Sequence, residues 1–179
     1  SGSARSALLH DLASALRDPP IIAALIAANT EDLALAHAAL ERGEIDPARY
    51  KRLALDADKL GSVADGLAQL ADAPELLGHA DLRRELDEGL VLERVPCPLG
   101  VLGVVFEARP DAVPQIGGLA LKSGNAALLK GGREALHSNR ALVAVLHRVL
   151  SAHGLDPACI ALLEQREELE ELLGQHDLI

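Results

Sequence analysis

The residues best suited to chemistry fall in one stretch, PLGVLGVVFEARPDAVPQIGGLALKSGNAALLKGGREALHSN, beginning at Pro98 and closing at Asn139. Two short apolar runs, Val101–Phe106 and Ala126–Leu129, end in polar clusters: Glu107-Ala108-Arg109-Pro110 after the first and Lys130-Gly131-Gly132-Arg133 after the second. Lys122-Ser123-Gly124-Asn125 stands between them. Short apolar runs of this kind read as strands of a parallel sheet buried on both faces. In an open parallel sheet, ligands bind outside the carboxyl ends of the strands. Lys130 is then placed to reach a cofactor ribose or phosphate. Gly131 and Gly132 would let backbone approach a ligand closely. Arg133 adds a guanidinium fork that suits a phosphate. Arg109 is placed to meet a substrate carboxylate or phosphate, or the cofactor, with Glu107 and Asn125 as further polar candidates. A plainer alternative stays open: the glycines make a tight turn, the cations are solvated, and Arg109 forms a structural salt bridge. No G-x-G-x-x-G occurs, so this is not the common dinucleotide fingerprint.

The elements that must position these residues can be read outward from them. After Val101–Phe106 comes a helix over Val113–Leu121 stopped by Gly124, then the strand Ala126–Leu129. A strongly periodic helix follows over Glu134–Ala152, with Leu142, Val145, Leu146, Val149 and Leu150 on one face and Gly154 closing it. Cys159–Leu163 reads as a third strand and Glu167–Leu173 as a third helix closed by Gly174. Asp177-Leu178-Ile179 looks like the start of a fourth strand, so the sheet is expected to continue beyond Ile179 or to be completed by a partner. This βαβαβα order implies a parallel sheet. Upstream, 82–86 and 90–95 flank Asp87-Glu88-Gly89 as a β-hairpin.

Residues 4–17 carry Leu8, Leu9, Leu12 and Leu16 at helical spacing. Asp18-Pro19 and Asp46-Pro47 read as a cap followed by proline at the first helical position. The segment from Pro19 to Ala28 is apolar on nearly every side and is expected to be deeply packed. Asn29 reads as the cap of a separate helix ending at Gly43, and Asp56 as the cap of a helix running to about Ala71. The expected organisation is a helical part over 1–81, a hairpin over 82–97 and a nucleotide-binding core over 98–179. The fold class is α/β: helical N-terminal region, hairpin, then an incomplete Rossmann-like parallel sheet with flanking helices.

Composition narrows the function classes. The chain has 179 residues, 49% hydrophobic and 25% charged, which fits a packed globular protein. Aromatic residues are 1%, which argues against base-stacking platforms. A formal net charge of −10 makes a phosphate-backbone partner unfavourable, so no nucleic acid is expected. Cys97 and Cys159 lie far apart without metal spacing. The histidines 10, 37, 79, 147, 153 and 176 are scattered, so no metal is proposed. His137 is either near a cofactor or a solvated first-turn residue. Glu167, Glu168, Glu170 and Glu171 read as a solvated acidic face. No stretch reads as a membrane span or secretory signal, and the expectation is a cytoplasmic protein.

The 98–139 block resembles the γ-glutamyl phosphate reductases (glutamate-5-semialdehyde dehydrogenases) of the aldehyde dehydrogenase superfamily. Ala27-Ala28-Asn29-Thr30-Glu31-Asp32-Leu33, Arg52-Leu53-Ala54-Leu55, Arg166-Glu167-Glu168-Leu169 and Asp177-Leu178-Ile179 extend the resemblance over nearly the whole chain. The resemblance implies an aldehyde dehydrogenase-like cofactor domain and NADPH-dependent reduction of L-glutamyl 5-phosphate to glutamate 5-semialdehyde, a step of proline biosynthesis. It implies a homo-oligomer assembled partly through the hairpin. It implies that a cysteine thiolate attacks the acyl phosphate, phosphate leaves, and the thioacyl enzyme accepts hydride. That cysteine is expected beyond Ile179, in a catalytic domain. Cys97 and Cys159 are expected to be small buried hydrophobes, and no catalytic residue is assigned within this chain. Lys130 falls where the superfamily contacts the adenosine ribose. Arg133 falls where NAD-preferring relatives carry a glutamate, so an arginine there favours the 2′-phosphate of NADP. Ala108 falls where an oxyanion-holding asparagine stands in general aldehyde dehydrogenases. Two alternatives remain: a non-catalytic homologue acting as a binding or assembly module, or a related acyl-phosphate or aldehyde dehydrogenase with another substrate.

Overall fold

The computed structural model describes residues 1–175, so the expected strand at Asp177–Ile179 lies outside the described residues. The first part is helical: α1 (Gly2–Ala15), α2 (Pro19–Glu41), α3 (Pro47–Leu53) and α4 (Ala57–Asp72). Two cap signals act as read. Asp46 accepts from the N–H of Arg49 at 2.8 Å, and Asp56 from that of Lys59 at 2.8 Å. Each satisfies an amide that the first turn leaves without a partner. Asp18 makes no such bond, and α2 starts on its prolines alone.

Asn29 does not cap a new helix; α2 runs straight through it. Its side chain is buried and faces other elements. Nδ2 donates to Leu53 O at 2.8 Å and to Ser138 Oγ at 3.0 Å, while Oδ1 accepts from Leu55 N–H at 2.8 Å. Asp32, also buried, accepts from the N–H groups of His137 at 3.1 Å and Ser138 at 2.8 Å. The polar cluster that reads as a helix start is therefore a helix middle serving distant backbone. The segment 19–28 is not deeply packed either. Ile21 and Leu25 are buried there, while Ala23, Ala24 and Ala27 are exposed. By length and composition α2 is long and apolar enough to cross a membrane, contrary to the reading of the sequence. Its buried, hydrogen-bonded Asn29 and Asp32 instead tie it to the rest of the domain.

A β-hairpin follows, β1 (Leu82–Asp87) antiparallel to β2 (Leu90–Arg94), with every strand residue exposed. Gly89 makes its turn at φ +74°, a conformation open to glycine at little cost. Then come β3 (Val101–Val105), α5 (Ala112–Lys122), β4 (Ala126–Lys130), α6 (Leu136–Ala152), β5 (Ile160–Leu162) and α7 (Arg166–Leu173). The three strands form one parallel sheet in the order β3-β4-β5. The α/β architecture is the one expected.

One face of the sheet carries the core. Ala127, Leu129 and Ile160 pack with Leu8, Leu9 and Leu12 of α1, Leu60 and Leu67 of α4, Val113 of α5 and Leu142, Leu146 and Leu150 of α6. On the other face, Val101, Leu128 and Leu163 border a groove closed by Glu168 and Leu172 of α7. β3 is thus not buried on both faces as its apolar run suggests. Among the described residues it is an edge strand, and Val105 is 60% exposed. β4, between two neighbours, alternates half-buried and buried residues.

Candidate functional site at the carboxyl edge of the sheet

The carboxyl ends of β3 and β4 lie side by side. Val105 pairs with Lys130, and the N–H of Phe106 donates to Lys130 O at 3.0 Å. The Glu107–Pro110 loop and the Gly131–Arg133 turn therefore share one edge. Lys130 is half-buried, its Nζ donating to Gly131 O at 2.9 Å. Arg133 is exposed and makes no ion pair or side-chain hydrogen bond among the described residues. It opens a single 3-10 turn, Arg133–Ala135, that leads into α6.

The two glycines have a reason internal to the domain. A Cβ at Gly131 would overlap Asn139 Nδ2 and sit 3.2 Å from the Phe106 ring; one at Gly132 would overlap the carboxylate of Glu134. Glu134 occupies that space while bonding elsewhere. Its Oε1 accepts from Arg49 Nη2 at 3.0 Å, from Arg49 Nε at 3.3 Å, and from the N–H of Ala108 at 3.1 Å. Arg49 also comes within 3.9 Å of the Glu107 carboxylate. The hydrogen bond and charge of Glu134, with Glu107 and Asp46 adding to them, hold the Arg49 guanidinium pKa above its ordinary value. Ala108 is fully buried at φ +46°, the one non-glycine residue with positive φ among those described.

Glu107 and Arg109 project from this loop, their side chains mostly exposed. Arg109 Nη2 lies 3.5 Å from Asp111 Oδ2, a long contact that leaves most of the guanidinium free. Asp111 is buried, 3.0 Å from Lys59 Nζ and accepting from Gln115 Nε2 at 3.2 Å. Beside it lies a cavity of about 540 Å³ bounded by Lys59, Ser62, Val63, Asp111, Gln115 and Leu119.

Other expected residues fall elsewhere. Asn125 precedes β4, at the opposite end of that strand from Lys130. Its Oδ1 accepts from Gly100 N–H at 2.8 Å and its Nδ2 donates to Ser123 Oγ at 2.9 Å. It is a strand-end tie, separate from the cluster at the carboxyl edge. Lys122 is likewise internal, donating to Ser6 Oγ, Ala71 O and Ala73 O. His137 Nδ1 stands 3.2 Å from Glu31. Cys97 is exposed and Cys159 only half-buried, which corrects the expectation that both are core residues. Cys97 lies in the link between the hairpin and β3, exposed to solvent. Arg49 and Glu134 were missed by the sequence reading. They lie 85 residues apart, so no local spacing links them.

The parallel sheet, its flanking helices and the polar carboxyl edge define the fold shared by aldehyde dehydrogenases. An acetylating aldehyde dehydrogenase of Geobacillus thermoglucosidasius superposes at a TM-score of 0.69 over 99% of this chain, at 15% identity and 35% coverage of its own chain. Within that fold the chain corresponds to the N-terminal portion of the gamma-glutamyl phosphate reductases. It is 54% identical over 158 residues to the reductase of a Cyanothece species (87% of this chain, 36% of the relative). It is 50% identical over 174 residues to that of Synechococcus elongatus (97% and 39%). The crystal structure of the Saccharomyces cerevisiae reductase matches at a TM-score of 0.81 and 34% identity, over 93% of this chain and 42% of that one. The chain thus spans well under half the length of these relatives. No protein-family model matches it.

Proposed function

We propose that this chain is the cofactor-binding portion of an NADPH-dependent reductase that converts L-glutamyl 5-phosphate to L-glutamate 5-semialdehyde in proline biosynthesis. The observation that carries the reading is the unpaired Arg133 beside Lys130, on the edge where an open parallel sheet takes its ligands. The residues present suit an anionic dinucleotide. Two cations stand at the carboxyl end of β4, Lys130 as its last residue and Arg133 beyond it, and among the described residues no acidic side chain pairs with either of them. The cofactor supplies hydride when bound. Lys130 serves its ribose and phosphates, and Arg133 its 2′-phosphate, through a charge-assisted pair. Gly131 and Gly132 keep the turn compact beneath them. Arg109 meets the substrate's carboxylate or phosphate from the adjacent loop, and Glu107 lines the same edge. The whole enzyme works in the cytoplasm as a homo-oligomer that uses the exposed hairpin.

The test is steady-state kinetics in the complete reductase that this reading implies. A guanidinium–phosphate contact contributes roughly 1.5–3 kcal/mol, about tenfold to a hundredfold in affinity. Arg133→Ala raises KM for NADPH by that range and leaves NADH nearly unchanged, while Lys130→Ala weakens both. Equal losses for the two cofactors in Arg133→Ala would remove the 2′-phosphate assignment.

A further inference from the structure

We propose that Glu134 is a positioning residue: its carboxylate, clamped by Arg49, fixes the left-handed turn at Ala108 and so sets the two loops of the carboxyl edge relative to each other. The inference rests on the reading of that edge as the ligand site, but its geometry stands independently. Four observations converge. Ala108 holds φ +46° with its methyl fully buried, a conformation that is unfavourable for an L-residue. Its N–H has one acceptor, Glu134 Oε1. That carboxylate follows β4, not β3, so a single side chain spans the two loops. Finally, Gly132 is the residue whose missing Cβ leaves room for the carboxylate to fold back. A side chain there would push Glu134 off Ala108.

The turn at Ala108 decides where its neighbours point. Glu107 and Arg109 flank it directly, and their exposed side chains are the charged groups on the β3 side of the edge. Without Glu134, the buried N–H of Ala108 has no partner, and an unpartnered buried amide is unfavourable enough to open the turn. Arg49, anchored in α3, holds the carboxylate against rotation through two N–H groups. The helical part thereby reaches into the edge through the Arg49–Glu134 ion pair.

The experiment follows amide exchange at Ala108 by NMR in this chain, comparing Glu134→Ala with Glu134→Gln. Glutamine keeps an acceptor oxygen for Ala108 and loses only the charge. The expected result is exchange at Ala108 about tenfold faster in the alanine variant, with the glutamine variant within roughly threefold of the original. Protection in the body of α6 stays unchanged. If the alanine variant is loosened throughout, the glutamine variant decides alone. Glutamine exchange as fast as alanine overturns the proposal, and so does unchanged exchange in the alanine variant. A parallel titration with NADPH separates this from the functional reading. Failure of the unsubstituted protein to bind NADPH removes that cofactor, while the exchange data still decide the role of Glu134.

Discussion

Asp32 does at the residue scale what a local cap usually does. It accepts two N–H groups at the start of α6 from a position in α2, and α6 has no cap of its own. Asp32→Ala leaves both amides without a partner in a buried setting, and should destabilise the chain by roughly 2–4 kcal/mol. Asp32→Asn, which keeps one acceptor oxygen, should lose less than half of that. Urea unfolding of the two variants checks it; equal losses would mean that the charge, rather than the hydrogen bonds, holds the helix. The same residue shows what the sequence concealed. Asn29-Thr30-Glu31-Asp32 has the residue types of a helix start, and so has Asp46-Pro47. Only the second makes its bond within its own turn. Nothing within a few residues distinguishes a side chain that serves its own helix from one that serves a helix 105 positions away. Arg49 and Glu134 were illegible for the same reason. The positions of Lys130 and Arg133 at the carboxyl edge were legible because they depend only on β4, which Lys130 ends.

At the scale of elements, periodicity carried well where one face is buried. The α6 stripe of Leu142, Val145, Leu146, Val149 and Leu150 is buried as its spacing implies. It carried poorly for β3, because an apolar run does not say how many layers cover a strand. The hairpin is the element with least protein over it. Leu82, Leu86, Leu90, Leu92 and the following Val95 are 43–58% exposed. In its register Leu82 faces Arg94 and Arg84 faces Leu92, while Leu90 faces Asp87. Exposed apolar strands of this kind associate. The chain should show a concentration-dependent rise in mass by light scattering up to about 100 μM. Leu92→Lys should suppress it without changing the melting temperature by more than about 2 °C. A monodisperse monomer at that concentration would rule association through the hairpin out.

For the whole molecule, acid response follows from its surface carboxylates. Glu44 beside Arg42, Asp46 on the Arg49 amide, Glu75 on the Leu77 amide, Asp81 beside Arg94 and Glu164 beside Arg140 all have pKa values lowered by those hydrogen bonds. A carboxyl with a lower pKa folded than unfolded stabilises the fold above its unfolded pKa. That contribution is lost as pH falls through the folded value. The urea midpoint should therefore be flat from pH 7 to about 5 and fall below about pH 4.5. A midpoint that rises on acidification would contradict the shifts. Redox chemistry is a second property of the whole chain. Among the described residues neither Cys97, in the link before β3, nor Cys159, on the core's margin, has a basic side chain hydrogen-bonded to it. The 179-residue chain should thus fail to reduce acyl phosphates. NADPH-dependent turnover abolished by Cys97→Ser or Cys159→Ser would disprove this.

The Asp32 cap also fixes an order of events in folding. The turn after β4 leads into the first turn of α6, and that turn is completed only when a helix made 105 residues earlier docks against it. Contacts of such long separation close late, because the entropy of the intervening loop must be overcome first. Strand pairing of β3 with β4 can therefore precede a fully formed carboxyl edge. In pulse-labelled refolding, the amides of His137 and Ser138 should gain protection together with Leu55, which α2 holds through Asn29, and after the middle of α6. The carboxyl edge takes its final shape only at the last stage of collapse, so the cofactor proposed for it, offered during refolding, would select chains in which α2 has already docked on α6.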